Sequence, residues 1–247
     1  MEANESLLLE LAAQYKSVVL LGNSEQLDLT AVLDAFDDQT LFVLFGSVRK
    51  ILNEPFSRPA LLVHRLREDG SVNKPEHITQ SQGMFAPGAL IGRAGVFAGK
   101  TFDGPKRTGE IAIREPLHYF IDGDPLLHGW YTNGKTGTTG FITALWFARH
   151  LPEHDIVLAG FSGTRGTDIK MFTMHDWTLE QAALRLEARR GALRWFEGEG
   201  KQSRSGIERL ALAYPDRDGI EIASVYAYVL RDQFAASDRI LARMWSM

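Results

Sequence analysis

Three short segments of this chain carry residue types that can hold a nucleotide and move a proton. The first is Gly22-Asn23-Ser24, directly after the apolar run Val18-Val19-Leu20-Leu21. A glycine there lets the backbone approach a ligand, and the small polar side chains can bond ribose or phosphate. The second is Gly137-Thr138-Thr139-Gly140 leading into Phe141-Ile142. Hydroxyls and backbone N–H groups at a helix start, with the helix dipole behind them, suit an anion. The third is His175-Asp176-Trp177-Thr178-Leu179-Glu180, with a histidine just ahead of a helix. Such a histidine can serve as general base near neutral pH, and the helix N-terminus favours its neutral form. Each segment also has a plainer explanation: turn geometry, ordinary capping by Thr138 or Thr139, and a structural histidine beside a helix-surface Glu180.

The elements that must position these segments alternate between strand and helix. Ser6 to Tyr15 predicts a short helix and Ser17 to Leu21 a buried strand. Leu29 to Phe36 predicts a helix, Thr40 to Phe45 a second strand closing at Gly46, and Ala60 to His64 a third. His118 to Ile121 is a short strand candidate, Phe141 to His150 a clear helix and Asp155 to Ala159 the next strand. Thr178 to Arg190 and Ile222 to Met244 predict amphipathic helices. Arg65 to Gly109, with scattered glycines and prolines, predicts loops. Strands separated by helices imply an α/β fold: a Rossmann-like, mainly parallel central sheet flanked by helices, drawn as a single domain over residues 1–247.

Composition narrows the function classes. Hydrophobic residues are 45% and charged residues 23% of the 247, the balance of a globular protein with a sizeable core. The net charge of −4 provides no general footprint for nucleic acid. The absence of cysteine excludes disulfides, thiolate metal sites and a cysteine nucleophile. Glu2, Glu5 and Glu10 surround Leu7-Leu8-Leu9, which is no signal n-region, and no apolar run reaches the roughly 18 residues of a spanning helix. The expectation is a cytoplasmic protein whose only route to a membrane is peripheral.

Taken together, the three segments resemble the sialyltransferase family. Its first large motif centres on a Gly-Asn-Ser turn after a strand, matched by Gly22, Asn23 and Ser24. Its second has Pro-Ser-Ser/Thr-Gly before a helix, then His-Leu, a strand and Gly-Phe. Here Gly137 replaces the proline, Thr138, Thr139 and Gly140 follow, and His150-Leu151 and Gly160-Phe161 come in order. Its last short motif, His, four residues, then Glu, is matched by His175 and Glu180. The resemblance implies a GT-A-like variant fold and an inverting transfer from a CMP-activated sugar without a divalent metal or other cofactor. It makes His175 the base, with Gly22, Asn23, Ser24, Thr138, Thr139 and Gly140 as nucleotide contacts. Glu180 would orient the histidine loop, and Lys135 or Lys170 would neutralise the donor phosphate. The sugars carried on CMP are 2-keto acids, so a sialic-acid-like sugar or 3-deoxy-octulosonic acid (Kdo) would pass to a bacterial surface glycan or a lipopolysaccharide-type acceptor. Three departures stand beside the match. No cysteine pair links the two large motifs, Phe45-Gly46 stands where a second nucleotide-binding asparagine is expected, and Thr167-Asp168-Ile169-Lys170 replaces the family's His/Tyr-Tyr segment.

Two other classes compete. Gly129-Trp130-Tyr131-Thr132-Asn133-Gly134-Lys135-Thr136 fits the G-x-x-x-x-G-K-[ST] pattern of a nucleotide kinase or NTPase. That motif needs a buried strand before it and a helix from its Gly-Lys pair, whereas Asp122 to His128 holds a proline and two acids. A noncatalytic nucleotide- or glycan-binding protein would need only the first two segments.

Overall fold

The computed structural model of the chain describes residues 2–24, 27–67, 69–98, 117–127, 129–131, 135–161, 175–196, 213–228 and 230. Seven strands form one all-parallel sheet: β1 (Ser17–Leu21), β2 (Thr40–Phe45), β3 (Ala60–Arg65), β4 (Leu90–Phe97), β5 (Tyr119–Asp122), β6 (Asp155–Ala159) and β7 (Arg194–Trp195). Their spatial order is β5-β4-β3-β2-β1-β6-β7. The helices are α1 (Glu2–Ala12), α2 (Leu29–Ala35), α3 (Glu76–Gln80), α4 (Asp124–Leu127), α5 (Thr139–His150) and α6 (Trp177–Arg189). This is the expected α/β, Rossmann-like architecture. The chain divides into two compact units, Met1–Glu199 and Gly200–Met247, where the sequence suggests one; the second includes a helical stretch over 219–228. No helix among the described residues is long and apolar enough to cross a membrane.

The near-continuous apolar strands follow from covering the sheet on both faces. Val18, Leu20, Leu41, Val43, Leu61, Val63, Ile156 and Leu158 point to one face, where Leu8 of α1 and Phe141, Leu145 and Trp146 of α5 pack on them. The alternate residues Val19, Leu21, Phe42, Leu44, Leu62 and Val157 meet Val32 of α2 together with Val48, Leu52 and Phe56 on the other. Both layers are close-packed apolar side chains, so either face of the carboxyl edge rests on a packed core.

One expectation needs correcting. Within Arg65 to Gly109, predicted as loops, β3 runs on to Arg65, α3 forms, and β4 takes a full place in the sheet beside β3. The strand is disguised by Gly92 and Gly95, whose missing side chains make room for neighbours. A Cβ on Gly92 would stand 2.5 Å from the Tyr119 ring, and one on Gly95 2.6 Å from Leu66 Cδ1. Lys170 lies outside the described residues, as does most of the predicted helix Ile222 to Met244.

The chain leaves the sheet centre at β1, travels through β2, β3, β4 and β5 to one side, then returns to place β6 against the free flank of β1. In an open parallel sheet, ligands bind outside the strand carboxyl ends where the order reverses. Here that point lies between β1 and β6. Their exits touch: Gly22 N–H donates to Ala159 O at 2.7 Å, a Cβ on Gly22 would strike the Gly160 carbonyl, and Gly160 adopts φ +73°. A Gly22→Ala variant should therefore lose about 1–3 kcal/mol through overpacking. Urea unfolding should show a lower midpoint with an unchanged slope.

Candidate functional site

All three segments come to the carboxyl edge of the sheet. Asn23 leaves β1 there, and its Nδ2 donates a long 3.5 Å hydrogen bond to Phe45 O at the end of β2. Its Oδ1 is buried without a partner, an acceptor whose desolvation is offset only if something donates to it. Ser24 is partly buried beside it. On the α5 side, Gly140 faces Phe161, the residue after Gly160, and a Cβ on Gly140 would stand 3.1 Å from that ring. The Gly22 turn, the Gly160 turn and the first turn of α5 thus meet around Phe161.

The start of α5 explains which groups remain available. Thr138, not Phe141, begins the helix: its Oγ1 accepts from Phe141 N–H at 3.2 Å, and its own N–H donates to Glu180. The Thr138 hydroxyl proton goes to Glu180 Oε2 at 2.6 Å, which commits that side chain to the cap. The N–H groups of Thr139 and Gly140 are left as the first-turn donors, aimed where the helix dipole favours an anion.

Glu180 is the residue whose surroundings the sequence least discloses. Rather than lying on the helix surface it is 2% exposed, and it accepts from Thr138 N–H at 3.0 Å, Thr138 Oγ1 at 2.6 Å and Tyr131 Oη at 3.1 Å. Burial pushes its carboxyl up to about 7, overcoming the Thr138 and Tyr131 hydrogen bonds that hold it down, with the Asp176 charge adding to the rise. Burial drives the Tyr131 phenol far above its ordinary range, and the charge and hydrogen bond of Glu180 add to the rise. A carboxylate on the first turn of α6 therefore clamps the first turn of α5.

His175 stands one residue before Asp176, the N-cap of α6, whose Oδ1 accepts from Leu179 N–H at 3.1 Å. The His175 Nδ1–H donates to Thr136 O at 2.7 Å. That bond fixes the tautomer and puts the basic lone pair on Nε2. Burial lowers the His175 pKa, the Thr136 hydrogen bond works against the fall, and Arg65 adds to it. Arg65, at the end of β3, was not anticipated: its guanidinium donates to Gly137 O at 3.1 Å, Ala98 O at 2.9 Å and Thr136 Oγ1 at 3.0 Å. It fastens the segment from which His175 hangs. The only sequence signal was an arginine closing an apolar strand.

Lys135 lies at this edge too, 3.4 Å from Asp176 Oδ2, in a pair exposed enough to contribute little to stability. The P-loop geometry is not met around it. Gly129 follows the short helix α4 instead of a strand, Lys135 and Thr136 precede α5 by several residues, and Thr136 is buried against Arg65. Among the described residues no three His, Asp or Glu side chains gather where they could hold a metal ion. An open depression of about 540 Å³ lies at the amino ends of the strands, lined by Lys16, Asp38, Gln39 and His154, at the opposite edge from this chemistry.

No protein-family model matches the chain, and no curated protein matches its sequence. The geometry therefore carries the functional argument by itself.

Because the folded state holds Glu180 near 7 against 4.5 when unfolded, the folded chain binds more protons between those values. The Glu180 contribution to stability is then largest at low pH, falls as pH rises from about 4.5 to about 7, and levels off above. In urea unfolding from pH 5 to 8, wild-type stability should fall with rising pH relative to that of Glu180→Gln, the buried histidines contributing the opposite trend to both; identical profiles would remove Glu180 as a source of the pH dependence.

Proposed function

We propose that this protein is an inverting glycosyltransferase of sialyltransferase type that moves a 2-keto acid sugar, sialic-acid-like or Kdo, from CMP to a hydroxyl of a glycan acceptor. The observation that carries the reading is the convergence at the carboxyl edge of three segments separated by up to about 150 residues: the Gly22 turn on Gly160, Gly140 on Phe161, and His175 and Glu180 on Thr136 and Thr138. The Gly22 turn and the Gly140 helix start lie at the β1/β6 switch point, where α/β sheets bind their ligands, and Glu180 ties the His175 segment to Thr138 beside them.

In this reading the nucleotide lies across the carboxyl ends of β1 and β2, with Asn23 Oδ1 accepting from a ribose hydroxyl or the cytosine amino group. The single phosphate of CMP meets the Thr139 and Gly140 N–H groups, and Lys135 supplies a cation by exchanging Asp176 for the phosphate. His175 Nε2 takes the proton of the acceptor hydroxyl as its oxygen bonds to the anomeric carbon. The bond from that carbon to the phosphate oxygen breaks on the opposite face, and CMP leaves with the electron pair, so the configuration inverts. Thr138 serves as cap and as tether for Glu180 instead of contacting the donor. Glu180 and Arg65 hold the base in place without touching substrate. A bacterial surface glycan or lipopolysaccharide-type acceptor and a cytoplasmic location complete the proposal.

Calorimetry should detect CMP binding and find none for ATP with magnesium; absence of CMP binding would sink the proposal. Replacing His175 with alanine should leave CMP affinity nearly intact and lower transfer, assayed with a panel of CMP-sugars, by roughly 10²-fold or more. The wild-type kcat/KM should rise through an apparent pKa below 6.5 and stay level above it, since the base works unprotonated and its pKa is lowered. Unchanged turnover in His175→Ala would exclude it as base.

A further inference from the structure

On the other face of the same edge, cationic side chains gather around two buried nitrogen atoms that have no partner. His64 and Arg65 are neighbours on β3, so they point to opposite faces; Arg65 reaches Thr136, and His64 points to the α3 side. His64 is 2% exposed, and its Nε2 makes no hydrogen bond. Arg93 on β4 stands across from Leu62 in the parallel ladder, on the same face as His64 two residues further along, and its Nε is likewise buried and unpartnered. His77 of α3 lies over Gly46 so closely that a Cβ there would be 2.7 Å from its Nδ1, and its Nε2 is 3.2 Å from Ser47 Oγ. Gly46 and Ser47 are the exit of β2, next to the Phe45 carbonyl that Asn23 touches.

The electrostatics of this cluster are one-sided. Burial holds the His64 imidazole down at about 4, and the charges of Arg93 and His77 push the same way, with no carboxylate among the described residues offsetting them. His77 is lowered by burial and by Lys74 and Lys50, against a single acid, Glu76. Leaving a buried donor unsatisfied costs about 1–3 kcal/mol. An apolar occupant would leave that cost in place and a cation would be repelled by Arg93, whereas an anion can accept from Arg93 Nε–H, from the Nε2–H tautomer of His64 and from the Ser47 hydroxyl.

We propose that His64, Arg93 and the Ser47–His77 pair form a subsite for an anionic group, a carboxylate or phosphate, on the face of the sheet opposite Glu180. Two sources share that chemistry: the acidic end of the donor, or an anionic group on the acceptor. The subsite does not depend on the glycosyltransferase reading, because its residues and the probe that tests it are separate from His175, Glu180 and CMP.

The test is isothermal titration calorimetry of the full chain with inorganic phosphate and with acetate, at ionic strength held constant with chloride. Wild type should bind at least one of the two, and Arg93→Gln and His64→Gln should each weaken that binding tenfold or more while circular dichroism stays native. Should His64→Gln fail to fold, Arg93→Gln alone decides, since Arg93 is only partly buried. Anion binding displaced by the free 2-keto acid sugar assigns the subsite to the donor's carboxylate, and binding that persists in saturating sugar assigns it to the acceptor; both uphold it. No heat with either anion, or equal affinity in wild type and Arg93→Gln, overturns it. Loss of CMP binding with phosphate binding intact would defeat the proposed reaction and leave the subsite standing.

Discussion

The parallel direction of every strand is the constraint on which the rest of this structure depends. A chain that leaves one strand at its carboxyl end and enters the next at its amino end must return along a crossover, so helices such as α5 and α6 start at the edge where strands finish. Strand exits, helix N-termini and their unsatisfied N–H groups are thereby collected along one rim. Reversing the order of travel at β1 opens that rim into a crevice between β1 and β6. Residues 22, 139 and 175 come to the same edge of the sheet because of topology.

Topology brings the groups to one rim, and buried polar contacts then fix them. Glu180 joins the first turn of α6 to the first turn of α5 through Thr138, and Arg65 joins the end of β3 to the 136–137 segment. Between these two clamps, His175 donates a hydrogen bond to the Thr136 carbonyl, in the segment that Arg65 holds. Both clamps use ionisable groups in poorly solvated surroundings. A buried carboxylate with three donors is costly to disturb, and that cost gives the rim a defined geometry. On the opposite face His64 and Arg93 lack such partners, and that imbalance sets the second face apart from the first.

Much of this was legible in the sequence, for reasons that can be named. β1, β2 and β6 were read at their observed bounds because strands covered on both faces are uninterrupted apolar runs. A threonine cap for α5 was visible because capping is local chemistry, though the sequence left it open between Thr138 and Thr139. β4 was missed because Gly92 and Gly95 are dictated by Tyr119 and Leu66, residues distant in the chain. Glu180 was recognised as a supporting residue while its burial was not, since helix periodicity cannot reveal that a first-turn glutamate faces Thr138 and Tyr131. Arg65 and His64 were invisible for the same reason: their meaning comes from what the sheet places opposite them.

The central claim is that the crevice between β1 and β6 at the carboxyl edge holds a nucleotide. Backbone amide chemical shifts recorded while CMP is titrated into the labelled protein test it directly. The account predicts that the largest changes fall on Gly22, Asn23, Thr139, Gly140 and Gly160. Changes centred instead on the depression at the amino edge, around Lys16, Gln39 and His154, would contradict it.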